Sequence, residues 1–501
     1  GLIVLLIACI NFMNLSTARS EKRAKEVGVR KAVGSGRKQL INQFLNESLL
    51  MAVFAFVLAL GMVALALPYF NQLTDKEMSL QIANPVFWLI MILFTIVTGL
   101  LAGSYPAFYL SSFNPVRVLK GNLKAGKRSS LPRKILVVIQ FSSSVVLMIG
   151  TVIVYQQIQY GKNLPIGFNN KGLISVYWSD DIANHIDALR QELISSGAAT
   201  SICQSNSSPS ELQSNNNGWE WKGSQPVEKT VTFSTITTTY DYTKTLGIKL
   251  LAGRDFSRAF ADSNSVILNE AAVKRMRLKD PIGEQLKWNG RPMTVIGVIP
   301  DIQMESPYRP ISPLTIIFNK DWVGHVDVRL NPDMSASQAL ALMKPIFEKY
   351  NPAYPFEYHF ADEEYAKKFN YEELVANLAA IIAVLAIFIS CLGLFGLASF
   401  TAEQRVKEIG VRKVLGAGIF NLWRLLSKDF VILVLLSCAI AIPVGWYCMN
   451  EWLNSYQNKT SINVYVFVIV VLVAITITLL TVSFQAIKAA VANPVKSLRT
   501  E

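Results

Sequence analysis

Charged side chains are scarce in this chain: they make up 17% of its 501 residues, whereas hydrophobic residues make up 51%. A soluble globular protein usually carries about 25% charged residues. The deficit is concentrated in blocks that are nearly free of charge and show no polar face, which argues against buried helices of a soluble core. Most blocks reach the roughly 20 residues that a helix needs to cross about 30 Å of hydrocarbon. They predict seven membrane spans, at residues 1–15, 49–67, 87–110, 135–155, 374–397, 430–449 and 464–484.

Cysteine and histidine are also rare, with five and three copies. Cys203 alone lies outside the predicted spans, so we expect no disulfide in the large segment between spans four and five. His185, His325 and His359 stand singly, without an i,i+4 pair or a neighbouring cysteine cluster. The sequence therefore predicts no metal site, no cofactor and no catalytic residues.

The chain has neither methionine nor a basic region ahead of its first apolar run. Gly1 stands inside that run, which fits neither an ordinary start nor a secretory signal peptide. We therefore expect a fragment of a longer protein, cut within a span.

The net charge of +13 is unevenly distributed along the chain. Segments 18–47, 111–134, 399–428 and 488–501 together hold 24 basic and 6 acidic residues, and the rest of the chain holds 24 and 29. This asymmetry follows the positive-inside rule. It predicts that these four segments, with the C-terminus, are cytoplasmic and that residues 156–371 are extracytoplasmic. Membrane lipid accounts for the basic residues, so no nucleic-acid partner is expected.

An internal repeat divides the chain. Residues 25–36 read KEVGVRKAVGSG and residues 407–418 read KEIGVRKVLGAG, with eight of twelve positions identical. A second match joins 114–120 (NPVRVLK) to 493–499 (NPVKSLR) at nearly the same distance. The repeat predicts a first three-span unit at 1–120, a basic linker at 121–134, a fourth span at 135–155, an exported domain at 156–371 and a second three-span unit at 372–501. If the first unit also follows a span and an exported domain, the intact chain has eight spans and two such domains.

The exported segment has the composition of a globular domain. Residues 172–177, 227–240, 266–268 and 293–299 are typical of strands, and 182–193 and 269–277 of helices. The predicted fold class is an α-helical polytopic membrane protein with an inserted α/β (α+β) extracytoplasmic domain.

The repeated segment predicts an elbow at the membrane surface. Its acid and arginine are spaced i,i+4 in the favourable order, and two glycines then break the helix before a second helix runs into the next span. One alternative is that the basic residues only set topology and contact lipid headgroups. Because topogenic charge needs no fixed spacing, the repetition favours a functional elbow. The candidate residues are Glu26, Arg30, Lys31, Gly34 and Gly36, with Glu408, Arg412, Lys413, Gly416 and Gly418.

The elbow motif, its three-span setting and the N-P-V exit resemble the FtsX/MacB-like permease family of ABC transporters. The exported segment resembles that family's periplasmic core domain at AGRDF (252–256), DPIG (280–283) and VIGVIPD (295–301). The resemblance implies that each elbow is a coupling helix seated on a cytoplasmic ABC ATPase, two in all, in the bacterial inner membrane. It also implies that the permease moves its outer domain, with a possible periplasmic or outer-membrane partner. One intact chain would supply both halves, which puts homodimerisation in doubt.

Residues 121–127 (GNLKAGK) have the spacing of a phosphate-binding loop, but Arg128 stands where Ser or Thr should reach the metal. The ATPase is therefore expected to be a separate polypeptide, and this chain a non-catalytic subunit. A secondary transporter is disfavoured because the span interiors lack ionisable residues. A receptor or scaffold that binds a periplasmic partner without an ATPase stays open. No residue distinguishes export, extraction and signalling, or selects lipoproteins, peptides, drugs or cell-wall enzyme control.

Overall fold

The computed structural model describes residues 1–18, 20–112 and 131–491. The segments 114–120, 121–127 and 493–499, singled out in the sequence, lie outside these residues. The chain forms two compact units. A helical unit comprises Gly1–Gln156, Glu373–Leu453 and Ser461–Glu501, and a sheet unit comprises Gln157–Glu372 and Asn454–Thr460.

The helical unit contains the apolar helices that the hydropathy pattern predicts. Six helices in the described part of the chain are long and apolar enough to cross a membrane, and each contains one of the predicted spans after the first. The predicted first span lies in the helix Leu2–Ala18, which at 17 residues is shorter than these six. The helices are α1 (Leu2–Ala18), α2 (Ser20–Ala32), α3 (Arg37–Thr74), α4 (Pro85–Ser111), α5 (Leu131–Lys162), α11 (Asn370–Gln404), α12 (Val406–Val414), α13 (Ile419–Leu453) and α14 (Val464–Val491).

The sheet unit is built on one mixed sheet, as expected for the inserted domain. The strand order is β12-β1-β11-β2-β5-β10-β7-β9-β8-β4, with β3 on β5 and β6 on β9. Pairs β5/β10 and β7/β9 are parallel and the other pairs are antiparallel. The strands are β1 (Leu173–Tyr177), β2 (Ala199–Ser205), β3 (Asn215–Asn216), β4 (Trp219–Glu220), β5 (Phe233–Thr238), β6 (Ala252–Gly253), β7 (Ser265–Asn269), β8 (Gln285–Trp288), β9 (Arg291–Ile299), β10 (Leu314–Phe318), β11 (His325–Leu330) and β12 (His359–Phe360).

Five helices accompany the sheet: α6 (Asp180–Ser195), α7 (Tyr242–Leu246), α8 (Glu270–Met276), α9 (Ala336–Tyr350) and α10 (Ala361–Lys367). The start of α6 is set by Ser179, whose Oγ accepts a hydrogen bond from the Ile182 N–H at 3.2 Å. Alternate residues of β1 and β11, such as Ile174 and Val328, are buried in one core with Leu189 of α6. The period-2 pattern of these strands therefore selects the face that α6 and α9 cover.

One strand prediction was partly wrong. Residues 226–230 form a 3-10 turn, and β5 begins only at Phe233. Pro226 starts the turn with a fixed φ and no N–H to give a sheet, and Glu228 accepts a hydrogen bond from the Gln225 N–H at 2.8 Å. The Thr/Val-rich composition favours a strand, but this local capping places residues 227–230 in the turn, and the strand begins only after residue 232. The strand predictions at 172–177, 266–268 and 293–299 and the helices at 182–193 and 269–277 are confirmed.

Candidate functional site: the two glycine elbows

The repeated segment folds twice into the same elbow. The first elbow consists of α2, the turn at residues 33–36 and the start of α3, and the second consists of α12, the turn at 415–418 and the start of α13. In both, a short helix ends and a long apolar helix begins after a turn of four residues. The structure thus brings together each set of five candidate residues in its own elbow.

The first glycine of each turn is required by the backbone. Gly34 has φ +102° and Gly416 has φ +89°, values in the left-handed region that favours glycine. The N–H of Gly34 donates to the Lys31 carbonyl at 3.1 Å, and the N–H of Ser35 donates to the Arg30 carbonyl at 2.9 Å. This pair of bonds is a Schellman motif, which satisfies carbonyls left open at a helix end.

The second turn repeats these bonds. The N–H of Gly416 donates to the Lys413 carbonyl at 3.1 Å, and the N–H of Ala417 donates to the Arg412 carbonyl at 2.9 Å. The second glycines act differently, since Gly418 accepts the first helical bond of α13, from the Leu422 N–H at 3.3 Å. Gly36 does the same for α3. The motif therefore encodes the end of one helix and the start of the next.

The acid and arginine of each elbow form an i,i+4 ion pair. Glu26 and Arg30 are 2.7 Å apart, and Glu408 and Arg412 are 2.8 Å apart. All four side chains are about half exposed, so each pair stabilises its helix by only about 0.3–0.5 kcal/mol. The guanidinium groups of Arg30 and Arg412 are therefore accessible to a partner at the surface.

The lysine of each elbow holds the end of another helix. Lys31 Nζ donates to the Ser111 carbonyl at 2.6 Å, and Lys413 Nζ donates to the Val491 carbonyl at 3.2 Å. Ser111 and Val491 are the last residues of α4 and α14, the third apolar helices of the two repeats. A cation at a helix C-terminus is favourable because carbonyl dipoles point outward there. Each elbow is thereby anchored to the last helix of its own repeat.

Apolar contacts reinforce this anchoring at matching positions. Val27 is buried with Leu40 and Ala107 in one cluster. Ile409, Leu422 and Ala486 occupy the corresponding positions of the second repeat and are also buried together. The charge and glycine patterns do not predict these apolar contacts. The alignment of the two repeats does indicate them, because apolar residues occupy matching positions in both.

The elbows differ next to the arginine. Arg30 also donates to Oε1 of Gln43 on α3, and Gln43 Nε2 donates to Glu47 at 3.3 Å. In the second repeat Leu425 stands in the place of Gln43. The first arginine is therefore tied to the long helix by a side chain that the second repeat lacks.

Each elbow exposes apolar side chains at its tip. Val33 is 84% exposed and Leu415, at the corresponding position, is 80% exposed. Val29 and Val411, which also correspond, are about half exposed. Exposed apolar groups next to a charged rim are typical of an interaction surface.

A polar cavity of about 90 Å³ lies in the sheet unit, lined in part by Ser175, His325, His359 and Glu364. Burial lowers the pKa of His325. Burial raises the pKa of the nearby Asp327 to about 7, even though Ser205 Oγ donates to it at 2.7 Å. Among the described residues, no group of three or more His, Cys, Asp or Glu side chains is arranged to hold a metal ion.

Two family models match the chain. The FtsX-like permease C-terminal model matches residues 1–115 and again 380–494. The MacB-like periplasmic core domain model matches residues 137–346. The first model therefore covers both elbows, and the second covers most of the sheet unit.

Curated relatives are similar in sequence to this chain over part of their length. The macrolide export ATP-binding/permease protein MacB of Aggregatibacter actinomycetemcomitans is 25% identical over 210 residues, which cover 40% of this chain and 32% of that protein. The uncharacterized ABC transporter permease YknZ of Bacillus subtilis is 23% identical over 224 residues, covering 41% of this chain and 54% of that protein. These matches thus span between a third and about half of the relatives.

Two solved structures match part of the chain. The periplasmic region of MacB from Actinobacillus actinomycetemcomitans is 16% identical, with a TM-score of 0.29, and covers 40% of this chain and 94% of that chain. The extracellular domain of the ABC-type transporter YknZ is 13% identical, with a TM-score of 0.26, and covers 37% and 97%. On the two family models, which together match residues 1–115, 137–346 and 380–494, and on the curated relatives, the protein belongs to the FtsX/MacB-like permeases of ABC transporters.

Proposed function

We propose that this chain is the membrane subunit of an ABC machine in the bacterial inner membrane. A separate cytoplasmic ATPase, present in two copies, docks on the two elbows, and its closure on ATP moves the exported sheet unit. The observation that carries this proposal is the repetition of the elbow's turn bonds, ion pair and lysine anchor in both halves, with its tip exposed.

The proposed orientation rests on charge. The segments that contain the elbows are strongly basic, which favours a cytoplasmic location. The same rule assigns the C-terminus to the cytoplasm and residues 156–371 to the other side. A cytoplasmic ATPase then meets the elbow tips, and the sheet unit meets the substrate or the outer partner.

Force transmission is supported by the continuity of the helices. The long helix that follows each elbow, α3 or α13, runs for 38 or 35 residues, or roughly 50–60 Å at 1.5 Å per residue. The chain passes between the two units inside α5, inside α11 and at both ends of the segment Asn454–Thr460, which follows α13. We infer that each long helix carries a push on its elbow along its own length.

ATP hydrolysis is assigned to another polypeptide because residues 121–127 lack the Ser or Thr that a phosphate-binding loop uses for its metal. The protein's work is export, extraction or signalling driven by that partner.

The test is a mild-detergent purification of the full-length protein, with co-purifying polypeptides identified by mass spectrometry. We expect a stoichiometric P-loop ATPase whose hydrolysis the permease stimulates. The double variant Arg30→Glu/Arg412→Glu should lose most of that stimulation while still inserting and folding. The matched control is Arg424→Glu/Lys428→Glu, which reverses two exposed charges on α13 just beyond the second elbow.

Equal loss in the control would assign the effect to topogenic charge. A further variant, Glu26→Arg/Arg30→Glu with Glu408→Arg/Arg412→Glu, restores the ion pairs in reverse and separates helix stability from partner contact. If the intact, folded protein carries no ATPase, the receptor or scaffold interpretation replaces the proposal.

A further inference from the structure

We propose that the two elbows bind their ATPase by different chemistry: the first through a basic, salt-sensitive contact and the second through an apolar, salt-insensitive one. This inference rests on the proposed function, because it takes the ATPase as the partner. It adds the chemistry of the docking surface, which the two repeats do not share.

The difference lies in the first two residues of each long helix. In the first elbow these are Arg37 and Lys38, and in the second they are Ile419 and Phe420. All four are exposed, Phe420 by 68% of its surface. The repeat aligns these pairs directly, so the same place on the elbow carries two cations in one half and two apolar side chains in the other.

The residues before the turn extend this contrast. The second elbow exposes Val414 and Leu415, where the first has Ala32 and Val33. Together with the pair after the turn, the second tip presents four exposed apolar side chains. The first tip presents a smaller apolar patch beside two cations.

The part of this surface that precedes the turn faces away from the helices on which the elbow sits. An α-helix turns about 100° per residue, so Val411, Val414 and Leu415 lie on the side of α12 opposite Ile409. Ile409 is the residue buried against the helical unit. Because the apolar face points away from the spans, a protein partner covers it better than lipid does.

Phe420 is held in this position by its neighbours. Its ring stacks on Trp423 with centroids 5.5 Å apart, and Trp423 Nε1 donates to Ser483 Oγ of α14 at 2.8 Å. A large apolar side chain that is both exposed and braced is suited to act as an anchor in a partner's pocket.

The chemistry of the partner follows from the two tips. Val33 and Leu415, which occupy the same position in the two elbows, predict an apolar floor in the docking cleft of the ATPase. Arg37 and Lys38 predict acidic residues at the rim of that cleft. If both ATPase copies are identical, the acidic rim of one copy faces the cations of the first elbow. The rim of the other copy faces the apolar residues of the second elbow. The two copies are then held by unequal forces, ionic at the first elbow and hydrophobic at the second.

The test adds the ATPase identified above, in purified form, to the full-length permease in nanodiscs. Binding is measured from about 0.1 M to about 1 M salt, over which the Debye length falls from about 10 Å to about 3 Å. Two reciprocal variants are compared with the wild type: Arg37→Ile/Lys38→Phe, and Ile419→Arg/Phe420→Lys.

We expect the first variant to bind with little dependence on salt. The second should bind about tenfold more weakly at high salt than the wild type, because both tips are then ionic. Equal salt dependence in all three proteins would overturn the inference while leaving the proposed function intact. The inference also fails if the effect of the variants depends on anionic lipid in the nanodisc, which would assign the tips to headgroups. Failure of the wild type to bind ATPase would instead overturn the proposed function.

Discussion

The first half of the helical unit (α1 to α4) and the second half (α5 and α11 to α14) differ in what fills the space beside their first repeated helix. In the second half, α5 contributes Val137, Phe141 and Ile149 to one core with α11, α13 and α14. In the first half, the corresponding region is a cavity of about 350 Å³, lined in part by Asn11 and Phe44. Within the described residues, the second half is packed by α5, and the first half is described by α1 to α4 alone.

The two halves also differ in the residues that their last helix carries at aligned positions. Gly99 and Gly103 of α4 lie against α3, where a Cβ on Gly103 would come within 2.6 Å of Ser48. The aligned residues of α14 are Thr478 and Val482. Small residues spaced four apart allow close packing of apolar helices, where dispersion replaces the hydrophobic effect. The first half thus relies on backbone approach and the second on side chains from a fourth helix.

The largest expected effect is on the close contact of the first half. Gly103→Val should cost about 3 kcal/mol of unfolding free energy, because the added side chain must displace Ser48 and separate α3 from α4. The measurement is unfolding by SDS titration in mixed micelles. Gly61→Val on α3 is the control, since its Cβ would meet nothing within 4 Å. Equal losses in the two variants would show that helix propensity, and not packing, is responsible.

A smaller loss is expected in the filled core of the second half. Ile149 is fully buried, and Ile149→Ala should cost about 2 kcal/mol, mainly for the cavity that remains. The exposed Leu58 of α3 provides the control, and Leu58→Ala should change the same SDS midpoint little. A large effect of Leu58→Ala would mean that the first half is covered in the intact protein, which would remove the contrast between the halves.

A change of opposite sign is expected at Asn14. This residue is fully buried, and neither atom of its amide has a hydrogen-bond partner among the described residues. The second repeat has Gly396 at this position. Asn14→Leu should therefore stabilise the protein by about 1 kcal/mol in the same titration, because an unsatisfied amide is removed. Destabilisation would indicate that the amide bonds to a group outside the described residues.

The smallest effect concerns the lysines that anchor the elbows. Lys31→Met should cost about 0.5 kcal/mol and Lys413→Met somewhat less, since the first ammonium lies closer to its carbonyl. Lys76→Met, beyond the end of α3, serves as the control. The same loss in all three variants would assign the effect to net charge, whereas a larger loss for Lys413→Met would reverse the predicted order.

Much of the helical unit was predictable because its signals are local. Apolar runs, the glycine turn and the i,i+4 pairs depend on residues within a few positions of one another, and the repeat doubled each signal. The same reasoning failed at residues 227–232, where Thr and Val suggested a strand and the capped turn at Pro226 prevailed. The roles of the ten elbow residues in coupling stay a prediction.

The amino-acid sequence by itself determined the apolar helices, the two elbows and the presence of a mixed α and β domain. Only the tertiary structure revealed that Lys31 and Lys413 reach the ends of α4 and α14, and that β5 pairs in parallel with β10 about 80 residues away. The physical reason is distance along the chain. Helix formation and membrane partition depend on neighbouring residues, whereas strand order and side-chain contacts depend on groups that only the folded chain brings together.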